Sequence, residues 1–166
     1  MQVLGHGIDL VDVARVAELI DAHGERFLTR CFTAGERAYA ERHPRRRAEH
    51  LAARFAAKEA ALKALGTGRR GAIAWTDVAV GRDELGKPSL TVVGAAAEVA
   101  RRLGVLDWQL SLTHTAAQAS ASALALGLPG VGPEPDPVDV AGYDAMRRGA
   151  GRASVSSVVS STAASA

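Results

Sequence analysis

One stretch of the sequence, RFAAKEAALKALGTG at 54–68, sets charged residues among alanines and ends in glycines. Glu59 and Lys63 stand four residues apart, so on a helix their side chains share one strip. A carboxylate beside an ammonium on a strip of small residues could form an anion or ligand pocket. The same spacing is also typical of an alanine-rich helix with one stabilising Glu–Lys pair and a glycine cap.

The periodicity of the apolar residues predicts the helix that carries this pair, over about 47–66. Four large side chains collect on one line at 100° per residue: Leu51, Phe55, Leu62 and Leu65. Ala52 and Ala56 share the strip of the charged pair, and their small size leaves room for a ligand to approach. Lys58 falls on the apolar side, so its ammonium group must reach solvent or find a partner.

The composition is that of a single folded domain. The chain has 166 residues, of which 48% are hydrophobic and 23% charged, and its formal net charge is +2. These values are ordinary for a globular protein with one core. No run approaches the roughly 18 apolar residues that a membrane span needs, and the N-terminus lacks a signal-peptide pattern. We expect a cytoplasmic protein that does not contact membranes.

The cysteine and histidine content argues against an internal disulfide and against a zinc site. Cys31 is the one cysteine of the sequence, so it forms no internal disulfide and is predicted to be a small buried residue. No His/Cys pattern fits a zinc site. His23, His43 and His50 fall on predicted polar helix faces or helix ends, and we expect them to be solvated.

Helices dominate the first half of the predicted element order. A strand at 2–10 is followed by Asp12, which is predicted to cap a helix that runs to about residue 22. A second helix covers 25–32. The motif TAGE at 33–36 fits a capping box that opens a third helix, which Pro44 ends before the long helix begins.

The second half is rich in predicted strands. The runs AIAWTDVAV at 72–80 and KPSLTVV at 87–93 indicate a hairpin around turn residues. A short helix at 94–104 precedes two more strands, WQLSLTH at 108–114 and AQASASALAL at 117–126. Strands that pair as hairpins beside blocks of helices indicate an α+β fold.

The predicted folded domain covers residues 1–128. From Pro129 onward prolines recur, and the chain then becomes rich in serine and alanine. Such a composition lacks the large apolar residues that a core needs. Residues 129–166 are therefore predicted to form a mostly disordered tail outside the functional domain.

Three stretches carry a resemblance to a known family: GHGIDLVDVARV at 5–16, RFAAKEAALKALGTG at 54–68 and LSLTHT at 110–115. In this order and spacing they resemble the holo-acyl-carrier-protein synthase family of 4′-phosphopantetheinyl transferases. The resemblance implies a compact, mainly antiparallel sheet with a long packed helix. It also implies transfer of 4′-phosphopantetheine from coenzyme A to a serine of an acyl carrier protein, with Mg²⁺ and release of adenosine 3′,5′-bisphosphate.

The resemblance also assigns catalytic and metal-binding residues. Asp9 and Glu59 match the family's metal-binding pair, and Mg²⁺ commonly takes one or two carboxylates together with substrate phosphates. Lys63 matches the family's phosphate-contacting lysine, whose point charge suits a pyrophosphate. A water held by Glu59 and Asp9, or Glu59 itself, is predicted to accept the serine proton.

Further matches concern the binding of coenzyme A. The family approaches coenzyme A through a turn where bulky side chains would block contact, and the matching residues are Gly66, Thr67 and Gly68. His114 matches the family's histidine near the ligand. Arg46 and Arg54 match basic positions that bind the 3′-phosphate and adenosine end, often from a neighbouring subunit.

The resemblance implies two kinds of protein partner. Acidic carrier proteins dock on the first helix in this family, where Arg15 matches a docking arginine, and we expect Arg26 and Arg30 to extend that patch. The family forms trimers, so a homotrimer is expected, with the metal pair of one subunit facing the two arginines of the next. The sequence leaves open whether the carrier serves fatty-acid or polyketide synthesis and whether Mg²⁺ or Mn²⁺ is used.

Two other functions compete with the transferase. One is a module that binds coenzyme A and the carrier protein without turnover, which the presence of Asp9, Glu59 and Lys63 disfavours. The other is a nucleic-acid-binding domain built on the basic residues Arg45–Arg47, Arg69 and Arg70. Only 4% of the residues are aromatic, so little base stacking is available and no nucleic-acid partner is expected.

Overall fold

The computed structural model describes residues 1–68 and 71–128, and the predicted tail lies outside this part of the chain. In chain order its elements are β1 (Gln2–Asp12), α1 (Val13–Cys31), α2 (Ala34–Glu41), α3 (Arg47–Ala64), β2 (Val78–Arg82), β3 (Pro88–Val92), α4 (Gly94–Arg102), β4 (Val105–His114) and β5 (Gln118–Gly127). Short 3₁₀ turns at Pro44–Arg46 and Trp75–Asp77 lead into α3 and β2. Along the described residues, no helix combines the length and the apolar character that a membrane crossing needs.

Three strands form one antiparallel sheet in the order β1–β5–β4, and β2 and β3 form a separate hairpin. Because β5 lies in the middle, Ala121 pairs with Asp9 on one side and with Leu112 on the other. Side chains alternate between the two faces of a strand, and one face of β5 consists of buried alanines: Ala119, Ala121, Ala123 and Ala125. This face packs against α3.

Glycines of β1 allow α3 to lie very close to the sheet. A β-carbon placed on Gly7 would lie 2.0 Å from the carbonyl oxygen of Ala60, and one on Gly5 would lie 1.9 Å from that of Ala64. Both distances are far inside van der Waals contact, so a side chain at either position would push the helix away. The GHG sequence of β1 is therefore a packing requirement.

The alanine strip of α3 does not form an open pocket, so the prediction that it leaves room for a ligand is wrong. Ala52 and Ala56 have no exposed surface. They belong to the same buried clusters as Ala119, Ala121 and Ala123 of β5. The small residues instead bring the helix and the sheet together.

A buried ion pair joins α2, α3 and the hairpin. Glu36 and Lys58 are 2% and 0% exposed, and their charged groups lie 2.9 Å apart. The backbone partners of the pair are the N–H groups of Thr33 and Val80 and the carbonyls of Trp75 and Val78. Burial lowers the pKa of Lys58, and the carboxylate of Glu36 opposes that shift. The partner that the sequence left open for Lys58 is therefore Glu36.

The α+β prediction is confirmed, while details of α1 differ. The two helices predicted on either side of Gly24 meet in α1, which bends at this residue, where φ is 50° and ψ is −132°. Asp12 precedes α1, but its side chain makes no cap hydrogen bond. Its carboxylate instead accepts a hydrogen bond from the side chain of Gln118 at 3.0 Å. Cys31 is buried, as predicted.

The predicted hairpin is confirmed, but its first strand begins at Val78 and not at residue 72. The segment before it turns because of Asp77. One carboxylate oxygen of Asp77 accepts hydrogen bonds from the N–H groups of Ala74 and Ala96, each at 3.3 Å. This side chain therefore fixes the start of β2 relative to the start of α4.

The buried pair leads to a stability prediction for Glu36→Gln. The amide oxygen of glutamine keeps one backbone acceptor, but its NH₂ group cannot accept from the second backbone N–H, and the charge opposite Lys58 is lost. We expect the free energy of unfolding in urea to fall by about 3 kcal/mol, because a buried ammonium group is left without its counter-ion. Glu98→Gln, which removes the charge of an exposed pair with Arg101, should leave the urea midpoint unchanged. A wild-type midpoint for Glu36→Gln would contradict the prediction.

Candidate active site

Asp9 on β1 and Lys63 on α3 form a salt bridge. The Lys63 Nζ lies 2.8 Å from Oδ1 of Asp9 and donates a second hydrogen bond to the carbonyl of Ile8 at 3.1 Å. The side chain of Asp9 is 15% exposed and that of Lys63 is 49% exposed. The ammonium group of Lys63 thus orients the carboxylate of Asp9, and the ammonium group itself stays accessible to a ligand.

Glu59 lies one helical turn before Lys63 and is half-buried. Side chains at i and i+4 share a helix face, so Glu59 projects on the side of α3 that meets β1. Gly7 makes this approach possible, because a β-carbon there would lie 2.9 Å from that of Lys63. The structure therefore joins Asp9 and Lys63 between β1 and α3, and helix spacing puts Glu59 on the same side of α3.

The donor atoms of this place suit one class of metal ion. Within residues 1–68 and 71–128, no group of three or more His, Cys, Asp or Glu side chains could hold a metal. Asp9 and Glu59 supply two carboxylates, and Mg²⁺ usually takes one or two carboxylates and completes its shell with waters and substrate phosphates. The residues present fit Mg²⁺ in that mode.

Helix α3 ends in a turn that contains two glycines. Gly66 and Gly68 have φ values of 74° and 54°, which confirms the predicted glycine cap. The N–H of Gly66 donates to the carbonyl of Lys63 at 2.9 Å, and that of Gly68 donates to the carbonyl of Leu62 at 3.2 Å. The hydroxyl of Thr67 donates to the carbonyl of Gly68 at 3.0 Å. Both glycine amides thus close the helix, and a contact of this turn with coenzyme A stays a prediction.

A second group of predicted residues lies at the N-terminal end of α3. The Nη2 atom of Arg46 lies 3.4 Å from each ring nitrogen of His114. Glu49 joins them, since its Oε2 lies 3.0 Å from Nε of Arg46 and 3.4 Å from Nδ1 of His114. Glu49 was not among the residues predicted for the site, although its i, i+3 spacing from Arg46 could have indicated the pair. Two residues predicted to bind coenzyme A therefore meet through a carboxylate.

His50 is buried behind this second group, so the prediction that it is solvated is wrong. Its ring centroid lies 5.1 Å from that of His43, 5.3 Å from that of Tyr39 and 6.0 Å from that of His114. Burial lowers the pKa of His50 from 6.5 to about 4, and nearby positive groups, first among them Arg54, act in the same direction. His50 is therefore neutral near pH 7.

Arg54 is enclosed between α2 and α3 and is 4% exposed. Its guanidinium carbon lies 4.1 Å from the ring centroid of Tyr39, and Nη1 donates to the carbonyl of His50 at 3.0 Å. Burial lowers the pKa of Arg54, and the carboxylate of Glu36 opposes this shift. The contacts of Arg54 hold α2 on α3, and its contact with coenzyme A stays a prediction.

The two groups lie at opposite ends of α3. Glu49 and Glu59 are ten residues apart, and a helix rises about 1.5 Å per residue, so about 15 Å separates them along the axis. One phosphate group cannot contact both. Within one chain, Arg46 and His114 therefore form a unit distinct from Asp9, Glu59 and Lys63.

The arginines predicted to dock a carrier protein lie along α1. Arg15, Arg26 and Arg30 are all exposed. Arg15 precedes the bend at Gly24, and the other two follow it. Each guanidinium is thus accessible to a partner, while the docking role itself stays a prediction.

Comparisons with known proteins agree on one family. A family model described as the 4′-phosphopantetheinyl transferase superfamily matches residues 5–122. A holo-[acyl-carrier-protein] synthase of Solibacter usitatus (strain Ellin6076) is 47% identical over 115 residues, which cover 69% of this chain and 91% of the relative.

Solved structures share the fold. The holo-[acyl-carrier-protein] synthase of Neisseria meningitidis has a TM-score of 0.69 and 32% identity, over 75% of this chain and 99% of that chain. The synthase of Bacillus anthracis str. Ames, in complex with CoA (3′,5′-ADP), has a TM-score of 0.63 and 30% identity, over 77% and 100% of the two chains.

The lowered pKa of His50 predicts a pH dependence of folding. The unfolded chain takes up a proton at this residue near pH 6.5, whereas the folded chain does so only near pH 4. Stability is therefore lost as the pH falls through this window. Between about pH 7 and about pH 4, we expect wild type to lose up to about 3 kcal/mol more unfolding free energy in urea than His50→Phe, which keeps a ring but does not titrate.

The matched control for this experiment is His23→Phe, which removes an exposed histidine and should follow the pH dependence of wild type. Wild type and His50→Phe differ at this ring alone, so the difference between their losses reports on His50. Equal losses in wild type and His50→Phe would show that the buried ring does not resist protonation.

Proposed function

Because the chain belongs to the 4′-phosphopantetheinyl transferase superfamily, we propose that it transfers 4′-phosphopantetheine from coenzyme A to a serine of an apo acyl carrier protein. The serine oxygen forms a bond to the phosphorus of the phosphopantetheine, and the bond from that phosphorus to the bridging oxygen of the pyrophosphate breaks. Adenosine 3′,5′-bisphosphate leaves. The observation that carries this function is the salt bridge between Asp9 of β1 and Lys63 of α3, with Glu59 one helical turn before Lys63 on the same side of α3.

Asp9 and Glu59 are the residues that would hold Mg²⁺. When bound there, the ion would supply positive charge to the pyrophosphate, which is the main demand of a phosphoryl transfer. The salt bridge to Lys63 occupies Oδ1 of Asp9 and fixes the orientation of its carboxylate. We also assign to Asp9 and Glu59 the orientation of a water that accepts the serine proton.

Lys63 is placed to bind a phosphate oxygen. Its ammonium group has three N–H donors, two of which meet Asp9 and the carbonyl of Ile8. The third can point at an oxygen of the substrate, and the exposed side chain leaves that direction accessible. The turn at Gly66, Thr67 and Gly68 begins two residues after the end of α3 and three residues after Lys63. Coenzyme A bound at Lys63 would therefore pass close to this turn.

The second group, Arg46 and His114, is proposed to bind the 3′-phosphate and adenosine end. In coenzyme A only a ribose separates the 3′-phosphate from the pyrophosphate, and the two groups of one chain are about 15 Å apart. A neighbouring copy must therefore supply one of them. This distance supports a site shared between two copies, and the family resemblance makes a homotrimer the expected assembly. Arg54, next to the second group, would complete its phosphate site.

The sheet offers a surface for such self-association. Gly7 faces α3, so its neighbours on β1 face the opposite way, and Ile8 and Leu10 are 57% and 59% exposed. They pair in register with Ser122 and Ser120 of β5, and this face, hereafter the outer sheet face, is not covered by the chain's described helices. Apolar and small residues on a flat, uncovered face favour association with another copy.

Further assignments follow from the transferase reaction. Arg15, Arg26 and Arg30 are proposed to meet the acidic surface of the carrier protein, which would speed encounter and weaken with salt. A carrier of fatty-acid or polyketide synthesis is the expected substrate, and the cytoplasm stays the predicted compartment. A module that binds coenzyme A without turnover is not favoured, because Asp9, Glu59 and Lys63 are all present and close together.

The transfer is tested by intact-mass spectrometry of an apo acyl carrier protein incubated with this protein, coenzyme A and Mg²⁺. We expect the carrier to gain the mass of one phosphopantetheine and a chelator to prevent this gain. Glu59→Gln should lower the rate by about a hundredfold or more, the order found when one group that stabilises transition-state charge is removed.

The control for Glu59→Gln is Glu98→Gln, which makes the same change on the exposed surface of α4 and should react at the wild-type rate. Thermal unfolding of both variants shows whether the fold is kept. A folded Glu59→Gln protein with wild-type turnover would contradict the metal assignment, and coenzyme A binding without any mass gain would favour the binding module.

The homotrimer is tested by Ser122→Arg on the outer sheet face. Light scattering coupled to size exclusion should give three chain masses for wild type and one for the variant, because a charged side chain would be buried between copies. Thr91→Arg, on an exposed position of β3, should stay trimeric. A monomeric wild type would contradict the homotrimer, and a trimeric Ser122→Arg variant would contradict the assignment of the outer sheet face as its interface.

A further inference from the structure

Glu49 has no part in the proposed reaction, although it contacts two residues that do. Its Oε2 atom lies 3.0 Å from Nε of Arg46 and 3.4 Å from Nδ1 of His114. Its side chain is 19% exposed, compared with 54% for Arg46. The carboxylate is thus the better-covered member of the group.

The contact with Glu49 leaves a useful part of Arg46 available. Arginine binds phosphate best through an edge that presents two N–H donors. Glu49 contacts the guanidinium at Nε, so it leaves the edge formed by Nη1 and Nη2 uncovered. Nη2 lies 3.4 Å from both ring nitrogens of His114, so this edge is next to the imidazole.

His114 is fixed from two sides. Glu49 contacts Nδ1, and the ring of buried His50 lies behind it with a centroid distance of 6.0 Å. Arg46 precedes α3 and His114 ends β4, so neither backbone determines the position of the other side chain. The carboxylate of Glu49 contacts both Arg46 and His114, and its negative charge is opposite to that of the guanidinium.

We propose that Glu49 is a positioning residue that holds the guanidinium of Arg46 beside His114, so that both can contact one phosphate group of coenzyme A. This inference rests on the proposed function. In this proposal Glu49 acts through Arg46 and does not contact the substrate itself.

Steady-state kinetics of Glu49→Ala test the proposal. We expect the KM for coenzyme A to rise about fivefold, the order expected when a partly exposed charged hydrogen bond no longer orients a binding group. The kcat and the KM for the carrier protein should stay within about twofold of wild type, since the lost interaction serves ground-state binding. Glu49→Gln keeps an acceptor for Nε of Arg46 and should recover part of the affinity.

A double-mutant cycle with Arg46→Ala separates positioning from a general structural role. If Glu49 acts through Arg46, adding Glu49→Ala to Arg46→Ala should change the KM for coenzyme A by less than about twofold. An equal fivefold rise in both backgrounds would overturn the proposal, because Glu49 would then act independently of Arg46. No rise in the wild-type background would overturn it as well.

The control is Glu98→Ala, which breaks another exposed Arg–Glu pair with i, i+3 spacing and should not change the KM. Failure of the two proposals can be told apart. If wild type does not modify the carrier, the proposed function fails. If wild type modifies it and Glu49→Ala has wild-type kinetics, only the role of Glu49 fails.

Discussion

The ion pair between Glu36 and Lys58 is the constraint on which the rest of the structure depends. Neither charge could be buried alone, so α2, α3 and the backbone of the hairpin must assemble around both groups together. The pair also fixes the rotation of α3 about its axis. Successive helical residues are 100° apart, so once Lys58 points at Glu36, Glu59 points out of the core on the side of β1. An interior interaction thus sets the direction of a residue at the candidate active site.

The contact between α3 and the sheet supplies the second condition. Gly5 and Gly7 remove the side chains that would hold the helix away, and the alanines of α3 and β5 fill the contact with methyl groups. Asp9, Glu59 and Lys63 then lie at the margin of a closely packed interface between helix and sheet, and not on a loop. The distance between the two groups of site residues is likewise a property of one helix, which is why a second copy of the chain enters the proposed site.

Regular periodicity made much of this fold predictable. The strip of α3 and the capping box at Thr33 predicted helices, and the hairpin-forming strands beside them predicted the α+β fold. The resemblance of three motifs then led to Asp9, Glu59 and Lys63. Interactions between distant residues were not predictable in the same way. Lys58 had no visible partner, because Glu36 lies 22 positions earlier and was already explained as a capping residue. His50 was misplaced for the same reason, since its cover comes from α2 and β4.

The pairing of the first strand with the last one has a consequence for the order of synthesis. Asp9 lies on β1, and the carbonyl of Asp9 accepts a hydrogen bond from Ser120, 111 positions later. Contacts between such distant segments form late in folding and slowly. On the ribosome, β1 must therefore wait for β5 to emerge, while the helices between them form first. The active site of a nascent chain stays incomplete until almost the whole domain has been translated, so a truncated product would have no transferase activity.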